Sequence, residues 1–189
     1  AMKAILGLAG RLAGRRGRSH RAARPAAADA DAGRGLEALE PRVLLSFSWS
    51  AEEVYFAELI NRARMDPVVE GERLELDLTR GLSAAEADNI RPVEPLALNA
   101  ELTEAMRAHN LDMAERDFFD HVNPDGDDPT DRAKDAGWPG VAGENIAAGY
   151  ETVDAAHRAL LDSVGHRKNV LSLHTNFSDS FHYDELGVG

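Results

Sequence analysis

The sequence predicts an α+β fold or a layered α/β sandwich, because amphipathic helices precede a strand in a chain without internal repeats. Two helices are predicted after the capping residues Ser50 and Asn99, and a third over Val153 to Val164. The segment Phe181 to Val188 is predicted to be a strand. Helices and strand together point to a layered domain around one core.

The first helix is predicted to begin at Ser50, which forms a capping box with Glu53. Its apolar residues recur at helical spacing until Asp66-Pro67 ends it: Tyr55, Phe56, Leu59, Ile60 and Ala63. A short second helix is predicted over Val68 to Leu78. Residues 79–98 are predicted to be a long connection, because a glycine and two prolines interrupt them.

The helix that Asn99 caps has one strongly apolar face, formed by Leu102, Met106, His109 and Met113. A turn is predicted over Asn123-Pro124-Asp125-Gly126. The next helix directs six side chains inward: Val153, Ala156, His157, Leu160, Leu161 and Val164. We expect His109 and His157 to serve packing rather than chemistry.

Composition limits the classes of partner. The 189 residues suffice for one domain and carry 21 Lys and Arg against 33 Asp and Glu, a net charge of −12. Such an acidic protein is not expected to bind nucleic acid, which needs a basic surface. There is no cysteine, which excludes disulfides and thiolate chemistry. No stretch approaches the roughly 18 apolar residues of a membrane span, and we expect a monomer.

The predicted domain organisation has two parts. Residues 1–46 are predicted to be a disordered basic arm, since their composition is rich in Ala, Arg and Gly. Within them, Leu39 to Ser46 reads LEPRVLLS and resembles a short motif near the N-termini of exported bacterial proteins; a linker with a small apolar patch is the alternative. Residues 47–189 are predicted to form the folded domain.

Histidines and acids cluster in the C-terminal half, where they suggest a site. Two neutral imidazoles with one or two carboxylates can hold Zn²⁺ and leave a position open for water. The same groups could perform acid–base chemistry without a metal. The sequence has no HExxH, GxSxG or P-loop motif, and the spacing of the histidines alone identifies no site.

Four motifs occur in register: Phe118 to Gly126, Gly143 to Ala147, Gly165 to Leu171, and Glu185 to Gly189. Together they resemble the bacterial branch of the CAP superfamily of SCP-like domains. The resemblance implies a three-layer α-β-α sandwich with a small antiparallel sheet, usually outside the cytoplasm. It also implies a cleft where two histidines and two acids meet, often around a divalent cation. Because Gly189 falls inside the last motif, we expect one or more closing strands to be missing.

Carried over by position, the resemblance assigns four cleft residues: His121, Glu144, His182 and Asp162. They are the expected ligands of a divalent cation, with zinc the expected cofactor. Asp162 stands one residue from the position of the family's second acid. Glu144 has an alternative role as the cap of a helix after Gly143, whereas His166 is expected to fix the loop after the helix through hydrogen bonds rather than to join the cleft.

The function expected from the resemblance is that of an extracellular or cell-surface protein. Its cleft would bind a divalent cation, a small ligand, or both, the ligand being a peptide, glycan or lipid. A metal-dependent, peptidase-like hydrolase with Glu144 as catalytic base is the alternative. A scaffold domain that binds nothing is the third. Whether the protein is an enzyme stays open, with binding preferred.

Overall fold

A computed structural model describes residues 2–12, 47–173 and 181–189, with the backbone alone for residues 2–12, Phe181 and His182. In these ranges the helices are α1 (Ala51–Met65), α2 (Pro67–Leu74), α3 (Ala84–Asp88), α4 (Ala100–Glu115), α5 (Pro129–Asp135), α6 (Val153–Asp162) and α7 (Val164–Val170). The strands are β1 (Met2–Leu12), β2 (Ala97–Leu98), β3 (Val141–Tyr150) and β4 (Phe181–Val188). Every helix in the described ranges is too short or too polar to cross a lipid bilayer.

Local capping starts the helices where the sequence predicts them. Ser50 accepts a hydrogen bond from the backbone N–H of Glu53, and the Glu53 carboxylate accepts one from the N–H of Ser50. Asn99 caps α4 by accepting from the N–H of Leu102. The predicted helices α1 and α4 and the predicted strand β4 are confirmed. Helices α2 and α6 are also present, but they end earlier than predicted, at Leu74 and Asp162.

Four strands form one sheet in the order β2-β4-β1-β3. β1 is antiparallel to both neighbours, pairing Ile5 with Ile146 of β3 and Leu8 with Leu186 of β4. The two-residue β2 is parallel to β4, so the sheet is mixed rather than purely antiparallel as predicted.

Helices cover both faces of this sheet, which confirms the α+β, three-layer architecture. On one face α1 packs against β4, and α6 and α7 pack against β3, around the main core, which includes Phe56, Ile60 and Leu160. On the other face α4 packs close to β4. There Gly187 comes so near α4 that a Cβ atom would lie 2.4 Å from the backbone carbon of Leu102. Glycine is therefore required for this close approach.

Several elements were not predicted. α3 interrupts the expected long connection, α5 follows the predicted turn, and β3 contains the Gly-Glu-Asn motif. The alternative role of Glu144 as a helix cap is wrong, because Glu144 lies in the middle of β3. The run Val141 to Tyr150 has few of the β-branched and aromatic residues that signal a strand, so its pairing with β1 decides its conformation.

The largest difference concerns the N-terminus. Residues 1–46 were predicted to be disordered, whereas Met2–Leu12 forms a strand between β3 and β4. The prediction of disorder depended on the small apolar surface that this segment can bury by itself. In the sheet, its backbone N–H and C=O groups are paired on both sides, which offsets the cost of ordering. The LEPRVLLS segment lies outside the described residues.

Candidate functional site

The buried carboxylate of Glu144 is the centre of the candidate site. Its side chain, in the middle of β3, has no exposed surface. Oε1 lies 2.9 Å from Nδ1 of His121, and Oε2 accepts a hydrogen bond of 2.8 Å from Nη2 of Arg132. A buried carboxylate is strongly disfavoured unless it is paired and hydrogen bonded. Arg132 and His121 supply that compensation, one at each oxygen.

Arg132 fixes the loop that carries the histidine. It is placed by α5, which begins at the capping residue Asp128 with a proline in its first turn. Nη1 of Arg132 donates to the backbone carbonyls of His121 and Asp127, both at 2.8 Å. The same guanidinium therefore binds the carboxylate and the backbone of the histidine that faces it, which holds the two at a set distance.

His109 lies beside Glu144 on the buried face of α4. Its Nε2 lies 3.0 Å from the carbonyl oxygen of Asp120 and 3.9 Å from Oε1 of Glu144. Because a carbonyl only accepts, Nε2 carries the hydrogen. Burial lowers the pKa of His109, so the ring is neutral near pH 7. The expected packing role is confirmed by its 1% exposure, but the ring also supports the site.

His121 is the part of the site that solvent reaches. Its side chain is 47% exposed, although Glu144 beneath it is fully buried. With Nδ1 directed at a carboxylate, Nδ1 carries the hydrogen and Nε2 keeps its lone pair. Metal-binding histidines typically have this arrangement, in which a carboxylate orients the ring and the other nitrogen binds the ion.

His166 stands close to the same imidazole. Burial lowers the pKa of His166, and the positive charge that His121 takes on protonation lowers it further. Its backbone carbonyl accepts from Nδ2 of Asn145, whose Oδ1 in turn accepts from Asn169 at 2.8 Å. The two asparagines therefore tie α7, which carries His166, to β3.

The four predicted cleft residues are only partly brought together. His121 and Glu144 are in contact, as described. Asp162 instead forms an exposed ion pair with Arg80, at 2.5 Å between Oδ1 and Nη2. The side chain of His182 lies outside the described residues. Among the described side chains, no group of three or more His, Cys, Asp or Glu is arranged to hold a metal ion.

Sequence reasoning missed the contributions of Arg132 and His109. Arg132 was overlooked because α5 was not predicted, although Asp128-Pro129 is a helix-start signal that could have located it. His109 was assigned to packing from its helical face. Its contact with Glu144 joins residues 35 positions apart in the sequence, and no local pattern reports that.

A two-sided α-β-α sandwich with a histidine and a buried glutamate at its Gly-Glu-Asn strand defines an SCP-like domain. The model of the Cysteine-rich secretory protein family, CAP, matches residues 57–176. The chain belongs to this family.

Two known proteins illustrate the relationship. The chain is 38% identical over 98 residues to the uncharacterized protein YkwD of Bacillus subtilis. The aligned region covers 51% of this chain and 35% of that protein. The chain thus spans about a third of that relative's length. It is also similar to a crystal structure of an extracellular protein containing a SCP domain from Bacillus anthracis, at 24% identity and a TM-score of 0.43, over 72% of this chain and 43% of that one.

Proposed function

We propose that this CAP-domain protein works outside the cytoplasm and binds a divalent cation, with or without a small ligand, at the cleft of His121. The observation that carries the proposal is the buried Glu144 carboxylate directed at Nδ1 of a half-exposed imidazole. Holding an uncompensated carboxylate in a core costs several kcal/mol. Here the fold uses Arg132 to offset that cost and to keep the histidine oriented.

The residues fit a cation through His121 rather than through Glu144 itself. Both carboxylate oxygens are already engaged, and an ion placed on them would lie beside the positive guanidinium of Arg132. Nε2 of His121 would bind the ion, with Glu144 as the orienting partner. His182 is the second imidazole that the sequence predicts, and His166, whose pKa responds to burial and to the charge of His121, is another candidate. A bound zinc ion would supply Lewis acidity at this surface.

The geometry favours binding over hydrolysis. A general base must come within about 3 Å of the water that it activates. The Glu144 side chain has no exposed surface, and its two oxygens are occupied by His121 and Arg132. The same burial leaves His121 as the group that a peptide, glycan or lipid would meet at the opening.

Zinc titration by calorimetry at pH 7.5, after removal of metal by chelator, tests this function. The wild-type protein is expected to bind zinc, and His121→Ala is expected to lose most of the affinity. Phe119→Ala is the control, since Phe119 is 51% exposed two residues away on the same loop. Equal binding by His121→Ala and wild type, or no binding by the wild type, would overturn the cation site.

Two further variants define the ligand set. Asp162→Asn should bind zinc as the wild type does, because Asp162 is engaged by Arg80. His166→Ala should weaken binding if the second imidazole is His166 and leave it unchanged if it is His182.

The location outside the cytoplasm rests on the family's secretory description and on the LEPRVLLS segment after a basic arm. Fusing the chain to a phosphatase that is active only after export tests it. An inactive fusion that is fully expressed would contradict it.

A further inference from the structure

A cavity lies between α4 and α5, and His109 and Arg132, which support the candidate site, also line it. Its volume is about 480 Å³, within the range of small-molecule sites. Ala105 and Ala108 of α4 and Ala136 after α5 give it an apolar lining. We call it the α4–α5 groove. Its existence does not depend on the function proposed above.

The charges around the α4–α5 groove are unbalanced towards the negative. Arg116 pairs with both Asp112 and Asp125, which neutralises most of that side. Glu104 of α4 and Asp135 of α5 also line the groove; within the described ranges neither carboxylate forms a salt bridge, although the charge of Glu104 acts on Arg107 one turn along α4. An apolar channel with an excess of carboxylates attracts a cation that carries a hydrocarbon chain.

His109 supplies an independent observation at the same groove. It lines the groove and is 1% exposed, yet its Nδ1 has no hydrogen-bond partner among the described residues. Because Nε2 carries the hydrogen that is donated to Asp120, Nδ1 of the neutral ring is an acceptor. A buried acceptor without a donor is costly, and native proteins rarely leave one unexplained. An N–H group of a ligand would satisfy it.

Arg132 does not oppose a cation here, although it also lines the groove. Nη2 of its guanidinium is paired with Glu144 at 2.8 Å and Nη1 is bonded to two backbone carbonyls, which offsets most of its charge, while its buried Nε has no hydrogen-bond partner among the described residues. With four carboxylates and two arginines in its lining, the groove keeps an excess of negative charge, to which Glu104 and Asp135 contribute.

We propose that the α4–α5 groove binds a linear aliphatic diamine. One ammonium group would lie between Glu104 and Asp135, the methylene chain over the alanines, and an N–H of the other amino group would donate to Nδ1 of His109. Both ends of the ligand then meet acceptors, and its middle meets apolar surface. A monoamine satisfies only one end, and a diol lacks the charge.

Calorimetric titration of the full chain with 1,5-diaminopentane tests the proposal, with 1-aminopentane and 1,5-pentanediol as comparison ligands. The diamine should bind about tenfold more tightly than the monoamine, a difference of about 1.4 kcal/mol, and the diol should not bind. Glu104→Gln/Asp135→Asn should weaken diamine binding about tenfold. The control Glu58→Gln/Glu115→Gln, which removes the same charge from exposed positions outside the groove, should not.

A variant that fills the groove separates binding there from charge effects. Ala108→Leu places a larger side chain in the groove at an exposed helix position, where the fold tolerates it, and should abolish diamine binding. Ala114→Leu, also exposed on α4 but outside the groove, should leave it intact. Unchanged binding by Ala108→Leu, or no diamine binding by a folded wild type, would overturn the proposal. Ala108→Leu should bind zinc with the affinity of the wild type. The result for the diamine groove can therefore be separated from the result for the zinc site.

Discussion

Removing the buried carboxylate of Glu70 is expected to destabilise the fold by about 3–5 kcal/mol. Glu70, on α2, is 1% exposed and joins α1 to α6. Arg62 of α1 donates to both of its oxygens at 2.6 Å, and Nε2 of His157 of α6 lies 2.9 Å from Oε1. Burial by itself would raise the pKa of Glu70, but the hydrogen bonds from Arg62 and His157 outweigh burial and lower it. The carboxylate is therefore ionised at neutral pH.

The magnitude follows from what each substitution leaves behind. Glu70→Ala leaves the Nε2–H of His157, which is 1% exposed, without an acceptor, and this lowers the free energy of unfolding by about 1–3 kcal/mol. The cavity that the substitution leaves lowers it further. Arg62 is 36% exposed and can turn to water, so it adds less. Glu70→Gln keeps the shape and one acceptor oxygen, and is expected to cost about half as much as Glu70→Ala.

Thermal and urea unfolding measure the effect. For a chain of this length each kcal/mol shifts Tm by about 2–4 °C, so Glu70→Ala should lower Tm by roughly 6–20 °C. Glu72→Ala, an exposed neighbour on α2, should stay within about 0.5 kcal/mol of wild type. A loss below 1 kcal/mol for Glu70→Ala, or equal losses for Ala and Gln, would refute the role assigned to this buried pair.

Two further outcomes are expected. Gly187→Ala should destabilise by more than about 3 kcal/mol, because its Cβ would lie 2.4 Å from the Leu102 backbone; Gly165→Ala, which meets nothing within 4 Å, should be neutral or stabilising in the same urea titration. Stability should also fall as pH drops from 7 towards 5, because burial lowers the pKa of His109 and His157 and the unfolded chain takes up protons near pH 6.5 that the folded one does not. Each histidine changes the free energy of unfolding by at most about 1.4 kcal/mol per pH unit. A free energy of unfolding that does not change between pH 7 and 5, or the same pH dependence in His157→Phe as in the wild type, would contradict this expectation.

Helix starts could be predicted from the sequence because they depend on local hydrogen bonds. Ser50 with Glu53, and Asn99 alone, satisfy backbone N–H groups three residues away, so the sequence pattern and the structure agree. The pairing of His121 with Glu144 was anticipated only because their motifs resemble those of a family. Their spacing of 23 residues would not have indicated it.

Strand pairing and buried charges depended on tertiary structure, since their partners are distant in the chain. β3 is weakly encoded, and the sheet is completed when Met2–Leu12 pairs with β3 and β4. Glu70 and His157 lie 87 residues apart, and their pairing, together with Arg62 on the carboxylate, makes both polar groups tolerable in the core. Local sequence determines where a helix begins, because its capping partners are adjacent. Which carboxylate faces which histidine is decided by packing, because burial makes an unpaired charge too costly to leave alone.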